Sequence, residues 1–241
     1  MKEAGAGEFY VIATPIGNLE DMTRRAITVL QEADLILAED TRTARKLLDR
    51  YGVSKRPMSC FAANEKKRVP LVLERLQTGE KVALICESGT PTLSDPGAEL
   101  VSQAVESGYR VIPVPGPSSM LACLCASGFK GRHVLFSGFL PRKDGKKRKE
   151  FLEAAQAADI LIFFEHPQRI ARTLSLLADS LEDPEVVIGR EMTKKYEEFL
   201  RGNASQLSRE LQEKPPKGEI VVAVRLGETK GGQGEDPNHC R

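Results

Sequence analysis

The stretch YVIATPIGNLEDMT, residues 10–23, decides how this chain is read. A short apolar run stops at Thr14-Pro15, turns through Gly17-Asn18 and restarts as a helix. Strand, turn, helix is the unit from which α/β proteins build ligand loops. The first strand is expected over 10–14. The helix that follows should use Asp21 as its cap and set Ala26, Ile27 and Leu30 on one face.

Working outward, the same alternation recurs. Strands are expected at 35–38, 57–62, 81–86 and 110–114. Between them lie amphipathic helices, one ending at Gly52 and one starting near Pro70 and closing at Gly79. The helix at 98–108 precedes the strand at 110–114. The turn PVPGPSSM (113–120) carries three prolines and suits a hinge. Beyond it, helices are expected at 119–127, 149–157, 168–180 and 202–214, and strands at 133–139, 159–164, 185–189 and 219–224. Residues 142–149 are expected as a basic loop, and 190–202 as a strand-to-turn edge. Alternation of this kind implies a mostly parallel sheet. The domains expected are 9–115 and 118–226, followed by a disordered tail over 227–241.

Composition bounds the rest. The 241 residues suffice for two small α/β domains with real cores. Hydrophobic residues make up 41% and charged residues 29%, a globular balance. A net charge of +1 means that any nucleic-acid contact must be a local patch. No run reaches the roughly 20 apolar residues of a membrane helix, and the first residues lack a signal-peptide core. Five scattered cysteines fit a reducing cytoplasm. Cys123 and Cys125 are two apart on a helix, so they read as small buried residues rather than metal ligands. The three histidines share no ligand spacing, and no metal site is expected.

Four loops follow strands directly: TPIGN (14–18), EDTRTA (39–44), ESGTPTLSDPG (87–97) and PGPSS (115–119). In open α/β sheets the ligand lies beyond the carboxyl ends of the strands, where these loops are. The first loop has one glycine where a dinucleotide fingerprint needs three. GFLPRKDGKK has the wrong spacing for a P-loop. What remains is stiff prolines (Pro15, Pro91, Pro115, Pro117), permissive glycines (Gly17, Gly89, Gly116) and small hydroxyls (Thr90, Ser118, Ser119). Such loops suit a polar, zwitterionic ligand read by backbone groups.

In series, TPIGNLEDMTRRA, AEDTRTARKLL, SGTPTLSDPG, PGPSS, GFLPRK, REMTKKYEE and KGEIV resemble the ribosomal RNA small subunit methyltransferase I family of the tetrapyrrole-methylase superfamily. The resemblance covers about residues 9–225. It implies two α/β domains of the tetrapyrrole-methylase (class III methyltransferase) type, with the cofactor cleft between them. It also implies S-adenosyl-L-methionine as cofactor, a decoding-region cytidine ribose of 16S rRNA in the small ribosomal subunit as substrate, and a cytoplasmic homodimer with no DNA or membrane partner. Carried over by position, the cofactor contacts are Pro15, Ile16, Gly17, Gly89, Thr90, Pro91, Leu93, Ser118 and Ser119. Phe164 and Glu165 should wall the adenine side, and Glu219 is a further candidate. The chain departs from the family in having Glu87-Ser88 before GTP, no histidine in CFAANE, and His166 after Glu165.

For a ribose hydroxyl the enzyme needs positioning and a base. The acidic candidates are Glu39, Asp40, Glu65 and Glu87. Asp40 and Glu87 are favoured because each directly follows an apolar strand, although Asp40 reads equally as the cap of TRTARKLL. RKDGKKRK has six basic residues in eight, a phosphate-contacting pattern. Arg142, Lys143, Lys146, Lys147, Arg148 and Lys149 are therefore RNA candidates. Arg42 joins them, and Lys66, Lys67 and Arg68 extend the patch. Lys194, Lys195 and Tyr196 are weighed evenly between a ligand role and a structural edge. Two rival readings are a tetrapyrrole methyltransferase and a non-catalytic nucleotide- or RNA-binding module.

Overall fold

The computed structural model describes residues 7–227. The expected disordered tail lies, apart from Gly227, outside the described residues. The chain divides into two compact units, Met1–Ser119 and Met120–Arg241.

The first unit holds β1 (Glu8–Ile12), α1 (Arg24–Glu32), β2 (Leu35–Ala38), α2 (Thr41–Arg50), β3 (Met58–Ser59), α3 (Glu65–Gln77), β4 (Lys81–Ile85), α4 (Ala98–Glu106) and β5 (Arg110–Val114). Its sheet is wholly parallel in the order β3-β2-β4-β1-β5. Side chains alternate across a strand, so a central strand feeds two cores. Ile12, Ile36, Ala83 and Ile85 pack with Leu30 and Leu48 of α1 and α2. Phe9, Leu37, Val82 and Leu84 pack with Leu76 and Leu100 of α3 and α4. Burial on both faces explains why β2 and β4 read as unbroken apolar runs. Pro113 sits in β5, an edge strand, where its missing N–H breaks no ladder.

The second unit begins within α5 (Ser119–Ser127). It continues through β6 (Val134–Phe139), α6 (Asp144–Ala157), β7 (Ile160–Glu165), α7 (Ile170–Ser180), β8 (Glu185–Arg190), β9 (Glu198–Asn203), α8 (Ala204–Glu213) and β10 (Ile220–Arg225). The sheet order is β6-β7-β10-β8-β9. Phe151 of α6, Leu174 of α7 and Leu207 of α8 pack on Phe163, Ile188 and Val222 from one face. On the other face the Cys123 thiol of α5 donates to the Val221 carbonyl at 3.6 Å.

Several expectations are corrected. The second sheet is mixed: only β6 and β7 run parallel, and β10 is antiparallel to both β7 and β8. The first strand ends at Ile12; Thr14 instead forms an isolated bridge to Gly89. Thr23, not Asp21, caps α1, accepting from the Ala26 amide at 3.1 Å; Asp21 lies in a short 3₁₀ turn. Pro70 is not in the first turn of α3, which starts five residues earlier. An exposed proline there removes only the bond to the Lys66 carbonyl, which water can satisfy. The third strand shrinks to Met58–Ser59. Residues 144–149 are helix rather than loop, and β9 pairs with β8 along six residue positions. Cys123 is buried as expected but Cys125 is exposed.

Candidate functional site

Because all five strands of the first unit run parallel, their carboxyl ends share one edge, and the four loops emerge there. Two of the loops are stitched together. The Thr14 amide donates to the Gly89 carbonyl at 2.8 Å, and the Gly89 amide returns a bond to Thr14 at 3.1 Å. Gly89 has φ +81°, a left-handed backbone that favours glycine, although a Cβ there would meet only ordinary contact, 3.4 Å from Ile16 Cγ2. The third loop joins through the Thr90 hydroxyl, which donates to the Pro117 carbonyl at 3.2 Å. Pro15, Ile16, Gly89 and Pro91 are buried, Ser118 and Ser119 are half-buried, and Gly17, Thr90 and Leu93 are exposed. The structure thus brings 14–16, 89–91 and 117 into one assembly within the first unit.

The carboxylates around this assembly divide by what holds them. Asp40 is the cap of α2, its Oδ1 accepting from the amides of Arg42 at 2.6 Å and Thr43 at 3.3 Å. Those two bonds hold its carboxyl below the usual range. Glu65 reaches across to α4, where its Oε1 accepts from Gly97, Glu99 and Leu100 amides at 3.0, 2.8 and 3.3 Å. Both are engaged in capping helix N-termini. Glu87 is exposed. Glu39 is raised, chiefly by burial and then by the negative charges of Glu87 and Asp40.

Asp95 was missed from the sequence. It is half-buried, and burial, followed by repulsion from Glu39, pushes its carboxyl up to about 6. The loop that carries it is unusual in its backbone: Thr92 and Ser94 both take positive φ, at 73° and 69°. Non-glycine residues there carry strain and cluster at functional sites. The signal for Asp95 was present in the motif SGTPTLSDPG. Position directly after a strand favours Asp40 and Glu87, whereas Asp95 lies nine residues past Cys86.

The second unit places its predicted residues differently. Glu165, at the end of β7, is buried and surrounded by donors. Its Oε2 receives Lys147 Nζ at 3.0 Å and the Thr173 hydroxyl at 2.7 Å. Its Oε1 receives the His166 amide at 2.8 Å and Arg169 at 2.5 Å. Burial alone would raise this carboxyl, but Thr173, His166 and Lys147 outweigh it and hold it below its usual value. Glu165 is therefore engaged internally rather than free to wall a ligand. Lys147 leaves the RNA set for the same reason: it is 2% exposed. Arg142, Lys143, Lys146, Arg148 and Lys149 are exposed, as is Arg42 in the first unit. Lys66 and Lys67 are exposed, whereas Arg68 is tied to the Ser59 carbonyl at 3.0 Å. Phe164 is half-buried in a ring cluster, 5.1 Å from Phe136 and 5.3 Å from Phe139. His166 stacks on Phe139 at 5.4 Å. Lys194 bridges Glu191 and Glu219, both at 3.0 Å, which gives Glu219 a structural role at the β8–β9 turn. Tyr196 is exposed, with Lys195 over its ring. Among the described residues no group of histidine, cysteine and acidic side chains could hold a metal ion.

The sequence profile described as Tetrapyrrole (Corrin/Porphyrin) Methylases matches residues 8–227. The chain is 43% identical over 219 residues to a Thermotoga maritima protein named Ribosomal RNA small subunit methyltransferase I, covering 90% of this chain and 98% of that one. It is 45% identical over 231 residues to the protein of the same name from Mesorhizobium japonicum, covering 94% and 78%. Among solved structures it is similar to the uroporphyrin-III C-methyltransferase of Thermus thermophilus complexed with S-adenosylhomocysteine. That likeness has a TM-score of 0.60 at 16% identity over 91% of this chain and 97% of that one, and it bears on the fold alone.

Proposed function

The chain belongs to the tetrapyrrole methylase family, and from that premise we infer that it is an S-adenosylmethionine-dependent methyltransferase of small-subunit ribosomal RNA. The observation that carries this is identity above 40% over nine-tenths of the chain to relatives that bear that name. The atom methylated is the ribose 2′-hydroxyl of a decoding-region cytidine in 16S rRNA, C1402 in the usual rRNA numbering.

The residues present fit the cofactor. Backbone groups of the proline-glycine loops, neutral hydroxyls from Thr90 and Ser118, and the carboxylates of Glu39 and Glu87 make a polar set suited to a ligand carrying positive charge. The same set repels a phosphate. Pro15, Ile16, Gly17, Gly89, Thr90, Pro91, Leu93, Ser118 and Ser119 would hold the cofactor. When bound, its sulfonium supplies an activated methyl group. The chain's own contribution is to hold the ribose oxygen in line and to take its proton. Arg42, Arg142, Lys143, Lys146, Arg148 and Lys149 would contact phosphates, which adds affinity without reading sequence. The family resemblance of the sequence motifs further implies a cytoplasmic homodimer. Among the described residues no helix is long and apolar enough to cross a membrane.

Small subunits from a strain lacking the modification, incubated with labelled cofactor, test the reading. Label is expected on the ribose of one cytidine. Label on a base overturns the reaction type, and label on a tetrapyrrole instead of RNA overturns the substrate.

A further inference from the structure

We propose that Asp95 is the group that accepts the proton of the ribose hydroxyl during methyl transfer. The proposal rests on the methyltransferase reading above and deepens it.

The first argument is elimination by geometry. Of the carboxylates around the loop assembly, Asp40 and Glu65 are bound to the amides that start α2 and α4. A carboxylate serving as a helix cap has its lone pairs directed at the backbone and its charge stabilised there, which makes it a poor base. Glu87 is exposed to water. Glu39 and Asp95 remain, and of the two Asp95 lies in the loop that the Thr14–Gly89 bonds stitch into the assembly.

The second argument is rigidity. Asp95 lies between Ser94, held at positive φ, and Pro96, whose ring fixes its own φ. Two residues on, Gly97 has φ +122°, and a Cβ there would fall 2.3 Å from Leu84 Cδ2, so this backbone is pressed against β4. The Gly97 amide is tied to Glu65 at 3.0 Å. The thiol of Cys86, which is buried at the end of β4, is turned to the Ser88 and Gly89 carbonyls of the same loop, at 3.4 and 3.3 Å. A base must be held in place before substrate arrives, and the strained loop supplies that hold.

The third argument is chemical. The groups that act on Asp95 are Glu39 beyond β2, and Glu87 and the Cys86 thiol at the end of β4. Burial with two like charges brings its carboxyl to about 6, which strengthens it as a base over an ordinary aspartate. In the step, the ribose oxygen gains the methyl carbon, and the sulfur keeps the electron pair of the broken bond and becomes a neutral thioether. The hydroxyl proton passes to an Asp95 carboxylate oxygen, from which water removes it after turnover.

The test is single-turnover methyl transfer to unmodified small subunits from about pH 5 to about pH 9. Wild type is compared with Asp95→Asn, Asp95→Glu, Glu39→Gln and Glu87→Gln. Calorimetry of S-adenosylmethionine binding and carbon-13 titration of the Asp95 carboxylate in the free protein accompany it. Wild-type rate should fall below about pH 6. Asp95→Asn should lose roughly 100-fold or more and with it the inflection, while cofactor affinity stays within about threefold; Asp95→Glu should recover part of the rate. Glu39→Gln should lower both the Asp95 titration and the rate inflection together, a result that does not depend on Asp95→Asn folding. An Asp95→Asn enzyme within about threefold of wild type, or one that keeps the inflection, overturns the proposal, as does a loss of cofactor binding that accounts for the lost rate. So does an inflection that stays in place when Glu39→Gln shifts the Asp95 titration. A wild type that labels no small subunit would instead overturn the reading beneath it.

Discussion

The Lys147 ammonium lies 3.0 Å from the Glu165 carboxylate, with their side chains only 3% and 0% exposed. Lys147 sits in the most basic run of the chain yet points inward from α6, where Thr173 completes the triad at 2.5 Å from its Nζ. Removing Lys147 leaves Glu165 with Arg169 as its one remaining cation, so Lys147→Ala should cost about 3 kcal/mol in urea unfolding, the low end for breaking a buried pair. Lys146→Ala, one residue away and exposed, should stay within about 0.5 kcal/mol. The pair also fixes a pH dependence. Glu165 is held below its unfolded value of 4.5. Its contribution is therefore complete above that value and disappears as pH falls through the lower folded one.

The neighbours of Lys147 give the second prediction. Lys143, Lys146, Arg148 and Lys149 are exposed, and Lys149 has only a 3.6 Å surface pair to Glu153. Each phosphate contact contributes about 0.7–0.9 to the slope of log affinity against log salt. Replacing these four with alanine should weaken binding to small subunits and reduce that slope by up to roughly 3, with cofactor affinity unchanged. An unaltered slope in a filter-binding series over salt would mean that this face touches no phosphate.

The third prediction concerns stability and follows from Asp95. Its carboxyl is raised from 3.8 to about 6 in the folded chain. Between those values the folded state binds more protons than the unfolded state, so stability falls as pH rises and stays lower above the folded value. Asp95→Asn removes the charge and should stabilise the protein at about pH 8 by roughly 1–2 kcal/mol, discounted for partial exposure. At about pH 4 the gain should vanish. Unfolding curves at the two pH values check this. A site that gains stability on losing its acid is one kept for another purpose.

How much of this was legible follows from which forces wrote it. β4 was readable to within a residue because central burial leaves an unbroken apolar run, and edge strand β5 because the glycine stop at Gly108 marks the end of the helix before it. β9 was not: EFLRGN is an edge strand whose two apolar residues are adjacent rather than alternating, and its pairing depends on β8 rather than on its own composition. The start of α6 was hidden by charge, since a run of lysines and arginines has no apolar period to betray a helix, and only Lys147 turns inward. The loops 14–18 and 87–97 were identifiable as a site. The bonds that join Thr14 to Gly89 span 75 positions, and the partnership of Lys147 with Glu165 spans 18; neither separation carries a sequence mark. Asp95 was obscured for a related reason. Its placement is set by the positive φ of Thr92 and Ser94, which side-chain type does not announce.

Asp40 offers the sharpest contrast with Asp95. It follows β2 directly, and its position at the strand end made it a favoured base. In the fold its Oδ1 accepts from both the Arg42 and Thr43 amides. Asparagine caps helices as well as aspartate does and presents the same kind of acceptor. Asp40→Asn should therefore keep the melting temperature close to wild type and retain most of the methyl-transfer rate, whereas Asp40→Ala should lower the melting temperature. If Asp40 were the base, the asparagine variant would lose rate by the roughly 100-fold or more that a general base contributes, with stability intact. The pair of substitutions separates the two roles because asparagine preserves the cap and abolishes the base, and only a base registers the difference in the rate.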